Sequence, residues 1–158
     1  MGKALMIVDN LRNLNISEEM SAIAARHTGM LADATRFQLS DGKNREGGYL
    51  PRYIDDPYFS SIEGALAYQQ WKTGISPGDN KPEDVMDFFI RGDFYDTIDV
   101  RVSGNQIDTF SWSNIASDVM AKTNNKAFGI NPESAARLWN AVFRPALLKV
   151  IRAKMSGQ

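Results

Sequence analysis

From Ser17 onward, apolar residues recur every three or four positions: Met20, Ile23, Ala24, Met30, Leu31, Ala34 and Phe37, with His27 on the same line. That spacing predicts one α-helix from Ser17 to Leu39 with a single buried stripe. Ser17 is placed to cap it, and Glu18 and Glu19 fall in the positive first turn. Upstream, Leu5, Val8 and Leu11 share helical spacing within Ala4 to Leu14, predicting a short helix packed nearby. Residues 1–40 therefore read as a helical start.

The periodicity then stops. Residues 41–59 carry Gly42, Gly47, Gly48, Pro51 and Pro57, too many breakers for a long regular element, and read as a loop. Either this loop folds back over the core or a partner orders it. Ser60 with Glu63 matches a capping box, and a helix over 60–74 runs until Gly74 stops it. After a second polar loop at 76–84, residues 85–111 form a hairpin region. Ile98, Val100 and Val102 alternate with polar neighbours over 97–102, Ser103-Gly104 signals a turn, and "NQIDTFSW" returns. "SNIASDVMAK" predicts a short helix. Over 131–156, Asn131 caps and Pro132 takes the first helical position, where a missing N–H costs nothing. Pro145 is expected to kink or split the C-terminal helical stretch, leaving Leu147, Leu148 and Ile151 on the buried side of a last helix. No internal repeat is visible. The whole reads as one α+β domain, an antiparallel β-hairpin or small sheet packed against several helices, with long loops.

Charge alters this picture little, because 18 basic residues face 19 acidic ones and no global field draws the chain to nucleic acid or an anionic membrane. The absence of cysteine removes disulfides, thiolate nucleophiles and sulfur-ligated zinc. The apolar run near the N-terminus, broken by Asp9, Asn10 and Arg12, is shorter than a signal core or a membrane span, so a soluble, unexported chain is expected.

Candidate chemistry is sparse. Asp93, Asp96 and Asp99 lie three residues apart, but with Asp99 on a strand and the others upstream in a turn or helix end, their side chains need not converge as metal or acid–base chemistry requires. The Arg91-Gly92-Asp93 triplet sits between Ile90 and Phe94 on a chain without an export signal, so adhesion is not expected. His27, the sole histidine, has no assignable partner and reads as a core or helix-boundary residue. "GKNREGG" lacks the strand, the Lys-Ser/Thr end and the helix of a phosphate loop. No catalytic residue, cofactor or metal site is assigned. Trp71, Phe88, Phe89, Phe94, Trp139 and Phe143 are expected in the core. The 43–59 loop differs, since its arginines and tyrosines are types enriched at contact centres. Arg45, Arg52, Tyr53 and Tyr58 in that loop, with Asp99 and Arg101 in the hairpin over 97–110, are the candidate interface residues.

The stretches "FQLSDGKNREGGYLPRY", "RGDFYDTIDVRVSGNQI" and "KAFGINPESAARLW" resemble, in order, elements of small uncharacterised proteins of tailed bacteriophages and prophages, particularly those of Bacteroidota. The likeness covers most of the chain from about Gln38 and departs at Arg91, where that group usually has Thr. At greater distance the chain is similar to phage head-to-tail joining and tail-completion proteins, small α+β subunits that form a ring between portal and tail tube. The resemblance implies a virion structural protein made in the bacterial host cytoplasm. Its expected partners are copies of itself and the neighbouring portal, connector or tail tube, with no membrane and no sequence-specific nucleic acid. The rival expectations are a metal-dependent, nuclease-like phage enzyme using Asp93 and Asp96, and a monomeric protein that binds a host factor.

Overall fold

In the computed structural model, which describes residues 2–157, the chain opens with three helices: α1 (Gly2–Arg12), α2 (Ile16–Arg26) and α3 (Thr28–Ser40). The single helix expected over 17–39 is thus two. Thr28 and Gly29 are poor helix formers, and the chain turns at His27, which caps both helices with φ −125° and ψ 26°. The turn lets α2 bury Ile23 and Ala24 while α3 buries Leu31, Ala32 and Leu39. His27 is the helix-boundary residue, its Nδ1 2.8 Å from the Ile23 carbonyl. The cap of α2 is Asn15, not Ser17. Asn15 has the extended backbone a cap needs, and its Oδ1 accepts from the Glu18 N–H at 3.3 Å, whereas Ser17 already lies inside the helix.

The loop after α3 folds back on the core. Gly42 turns left-handed at φ 68°, Lys43 pairs with Tyr49 and Arg52 with Val85 as isolated bridges, and a 3₁₀ turn at Tyr53–Asp55 buries Tyr53 alongside Leu50. Helix α4 (Ile62–Thr73) comes next, capped by Ser61, whose Oγ accepts from the Gly64 N–H at 3.1 Å; the Ser60 capping box is not formed. An irregular crossing at 85–89 leads to α5 (Asp93–Asp96) and to strands β1 (Ile98–Ser103) and β2 (Gln106–Ser111). The strands pair antiparallel in the register Ile98–Ser111 to Ser103–Gln106, confirming the hairpin. The chain ends with α6 (Ala116–Lys122), α7 (Pro132–Leu138), a π turn at Trp139–Phe143 and α8 (Arg144–Ser156). Pro145 cannot donate to a carbonyl four residues back, and the wide turn just before it absorbs the misfit without breaking the helical path.

Two apolar clusters meet at β1, whose Ile98 joins the first and Val100 the second. Leu39, Leu50, Tyr53, Val85, Met86, Phe94, Tyr95 and Phe128 build the first, and Ile23, Leu31 and Phe143 the second. Two polar side chains on α3 fasten them. Arg36 donates to the carbonyls of Tyr95 at 2.8 Å and Ile98 at 2.7 Å, while Gln38 donates to the Gly129 carbonyl and accepts from the Asn131 N–H at 3.0 Å.

Several expected core residues lie elsewhere. Phe94 and Phe143 are buried and Phe88 and Phe89 half-buried, but Trp71 and Trp139 are exposed. Leu147 and Ile151 are half-buried and Leu148 exposed; Leu147 packs against the second cluster, but α8 fully buries none of its residues. On α1, Leu5, Val8 and Leu11 are all exposed although the helix packs on α8.

Candidate functional site

The three aspartates do not form a centre. Gly92, left-handed at φ 93°, turns the chain into α5, leaving Asp93 and Asp96 exposed in its single turn. Asp93 lies 3.6 Å from Arg91, both in solvent, so the Arg-Gly-Asp triplet is a loose surface pair. Asp99 is on the outer face of the hairpin and accepts from the Trp112 indole N–H at 3.3 Å. Among the described residues, no three His, Cys, Asp or Glu side chains are placed to hold a metal ion.

The six candidate interface residues separate into distinct places. Arg101 and Asp99 share the hairpin's outer face, the guanidinium 5.2 Å from the Phe110 ring centroid and Phe110 edge-on to Trp112. Arg45 is exposed near the end of α6, its backbone N–H donating to Lys126 at 2.9 Å and its stem against Gly129. Arg52 is exposed but spends its guanidinium on Asp55 at 2.9 Å. Tyr58 is 81% exposed. Tyr53 is a correction. Only 4% exposed, it belongs to the core because the 3₁₀ turn directs its ring edge-on against Tyr68 at 5.5 Å, and it offers nothing to a partner.

Beside Tyr53 the structure assembles a feature with a faint signal in the sequence. Lys72 of α4 and Asp87 are both enclosed, with Lys72 Nζ 2.5 Å from Asp87 Oδ1. Lys72 also donates to the Phe89 carbonyl, the Phe89 N–H donates to Asp87 Oδ1 at 2.9 Å, and the Tyr95 hydroxyl donates to the Asp87 carbonyl at 2.5 Å. Burial, and after it the nearby Asp87 carboxylate, hold the phenols of Tyr53, Tyr68 and Tyr95 above their ordinary range. Burial also pushes the Lys81 ammonium down, though it donates to the Val85 carbonyl at 2.6 Å. The signal was Asp87 itself, a lone carboxylate inside the apolar run "VMDFFI". A buried charge demands a partner. With its ammonium matched by one carboxylate and a carbonyl, Lys72 ties α4 to the 85–90 crossing.

Over this pair opens a cleft of about 500 Å³, walled by Tyr58, Phe59, Tyr68, Phe88, Ile90 and Ile115, with Asp56, Asp118 and Lys122 along it. Lys122 bridges to Asp56 at 2.7 Å. On α4, Ile62, Leu66 and Trp71 stand in solvent, the Trp71 ring 5.3 Å from that of Tyr68. A second apolar surface lies on α1 and α8, where Leu5, Met6, Val8, Leu148 and Met155 are exposed. Among the described residues, no helix is long and apolar enough to cross a membrane. No family model matches the chain, and neither the curated proteins nor the solved structures contain a match to it.

Proposed function

We propose that the protein is an assembly subunit, a structural component of a tailed-phage virion that forms a ring in the neck or the head-proximal tail. The observation that carries this reading is large apolar side chain left in solvent in two separate places: Tyr58, Ile90 and Ile115 at the cleft, and Leu5, Met6, Leu148 and Met155 on the packed helices α1 and α8. Single exposed apolar residues are ordinary, but clustered ones mark surfaces that are covered in the working state. Two such faces on one chain suit head-to-tail contacts, which close by rotation into a ring. The phage setting is drawn from the resemblance of the three sequence stretches, and neighbouring virion proteins are the further partners it implies.

Light scattering across a concentration series, with and without magnesium, tests the proposal. Mass that rises with protein concentration and ignores magnesium is the expected result. A monomer mass at every concentration, with or without magnesium, overturns self-assembly.

A further inference from the structure

The lysine of "GKNREGGY" lines a hollow unlike the aromatic cleft, about 270 Å³ in volume and walled almost wholly by polar side chains. It shares no residue with that cleft or with α1 and α8. Gln38 and Asp41 reach it from the end of α3, Lys43 from the folded-back loop, and Asn131, Glu133 and Arg137 from the α7 segment.

Three of these groups lack a matching partner. Lys43 is in no ion pair among the described residues, and its ammonium rests 3.5 Å from the centroid of the Tyr49 ring. Asp41 is likewise outside every ion pair there. Burial raises its carboxyl above the ordinary value; Arg137 and Lys43 pull it down, while Glu133 and Asp79 push it up. Asn131 is 3% exposed, and its Oδ1 accepts from Ser134, but its side-chain nitrogen makes no hydrogen bond among the described residues. A polar group this enclosed is nearly always paired, and the hollow it borders is where a partner would reach it. The loop needs no ligand to hold its shape, because Asn44 Oδ1 accepts from the N–H groups of Glu46 at 2.9 Å and Gly48 at 3.2 Å. Lys43 and Tyr49 are therefore placed in advance, which lowers the cost of binding.

We infer that this hollow binds a small zwitterion of the free α-amino acid type, its carboxylate on Lys43 and the Asn131 amide and its ammonium on Asp41. Glu133 and Arg137, 3.5 Å apart, add one charge of each sign. That mixture is selective. A phosphate would meet two carboxylates and a simple amine two cations, whereas a molecule carrying both signs makes charge-assisted hydrogen bonds at each end. The volume lies below the roughly 300–1,000 Å³ of drug-sized sites, which favours a short side chain over a nucleotide or a peptide. Such binding does not depend on ring formation.

Isothermal titration calorimetry of the full chain with glycine, alanine and serine tests the site, against acetate and ethylamine, each of which carries one of the two charges. At least one amino acid should saturate a single site by about 10 mM, about tenfold above a millimolar dissociation constant. Acetate and ethylamine should bind about tenfold more weakly or not at all. Lys43→Gln and Asp41→Asn should each weaken amino-acid binding about tenfold or more. Neither side chain is in an ion pair among the described residues, and circular dichroism verifies that both variants fold. No binding of any of the three amino acids at about 10 mM, or binding that survives in either variant, overturns the site. Acetate that binds as tightly as the amino acids and is indifferent to Asp41→Asn makes the hollow an anion site and overturns the zwitterion.

Discussion

Lys72 and Asp87 are each enclosed on all sides, so the state of one decides the cost of the other. Lys72→Met leaves a buried carboxylate without its ammonium and should lower the unfolding free energy by about 3–5 kcal/mol, read from the urea midpoint at constant slope. Adding Asp87→Asn removes the stranded charge, and the double variant should be more stable than the single one. The neighbouring phenols make the fold sensitive to alkali. In the unfolded chain Tyr53 and Tyr95 release their protons near the ordinary phenol value of about 10, whereas in the folded chain burial keeps them protonated well beyond it. Their contribution is therefore fully present below about pH 10 and is lost as pH rises beyond it. Absorbance at 295 nm should show both tyrosines ionising together with unfolding, not ahead of it.

Caps and close backbone contacts control the individual elements. Asn15→Ala removes the acceptor for the Glu18 N–H and should cost about 1 kcal/mol, whereas Ser17→Ala, inside α2, should be close to neutral; urea denaturation of the two variants distinguishes the cap from its neighbour. Asn131 does more than cap α7. It is buried, its Oδ1 accepts from Ser134 N–H at 2.8 Å, and its own N–H donates to Gln38, so the start of α7 is tied directly to α3. At Gly78, a Cβ would overlap the Ser40 carbonyl at the end of α3. Gly78→Ala should force the 76–84 loop away from α3 and cost about 1–3 kcal/mol, seen as a lower melting temperature with circular dichroism of the native state unchanged.

Across the whole molecule, the tryptophans are placed to report on the proposed assembly. Trp71, Trp112 and Trp139, the only tryptophans in the chain, are all substantially exposed. Trp112 lies on the hairpin's outer face and Trp71 beside the cleft rim, so covering either face should shift fluorescence emission to the blue as protein concentration rises. Unfolding of the dilute protein should move the emission little. The same exposures explain why expecting Trp71 and Trp139 in the core failed. A single apolar stripe specifies which side of an element is favourable to bury, but the area available to bury it depends on what packs opposite, and α4 and the π turn at Trp139–Phe143 meet too little partner surface to enclose their tryptophans.

The alternation over 97–102, the Ser-Gly turn, Asn131 before Pro132 and the breakers at 41–59 and 76–84 were enough to identify an α+β chain with one hairpin and helices at both ends, since these are local preferences that act within a few residues. The burial of Tyr53 against Tyr68 and the tie between Lys72 and Asp87 depend on segments fifteen residues or more apart. No local pattern encodes which distant surface a side chain meets. The aromatic cleft lay between the two: its tyrosines and phenylalanines were in the chain from the start, but they became one surface only when packing gathered α4, α6 and the 85–90 crossing around it.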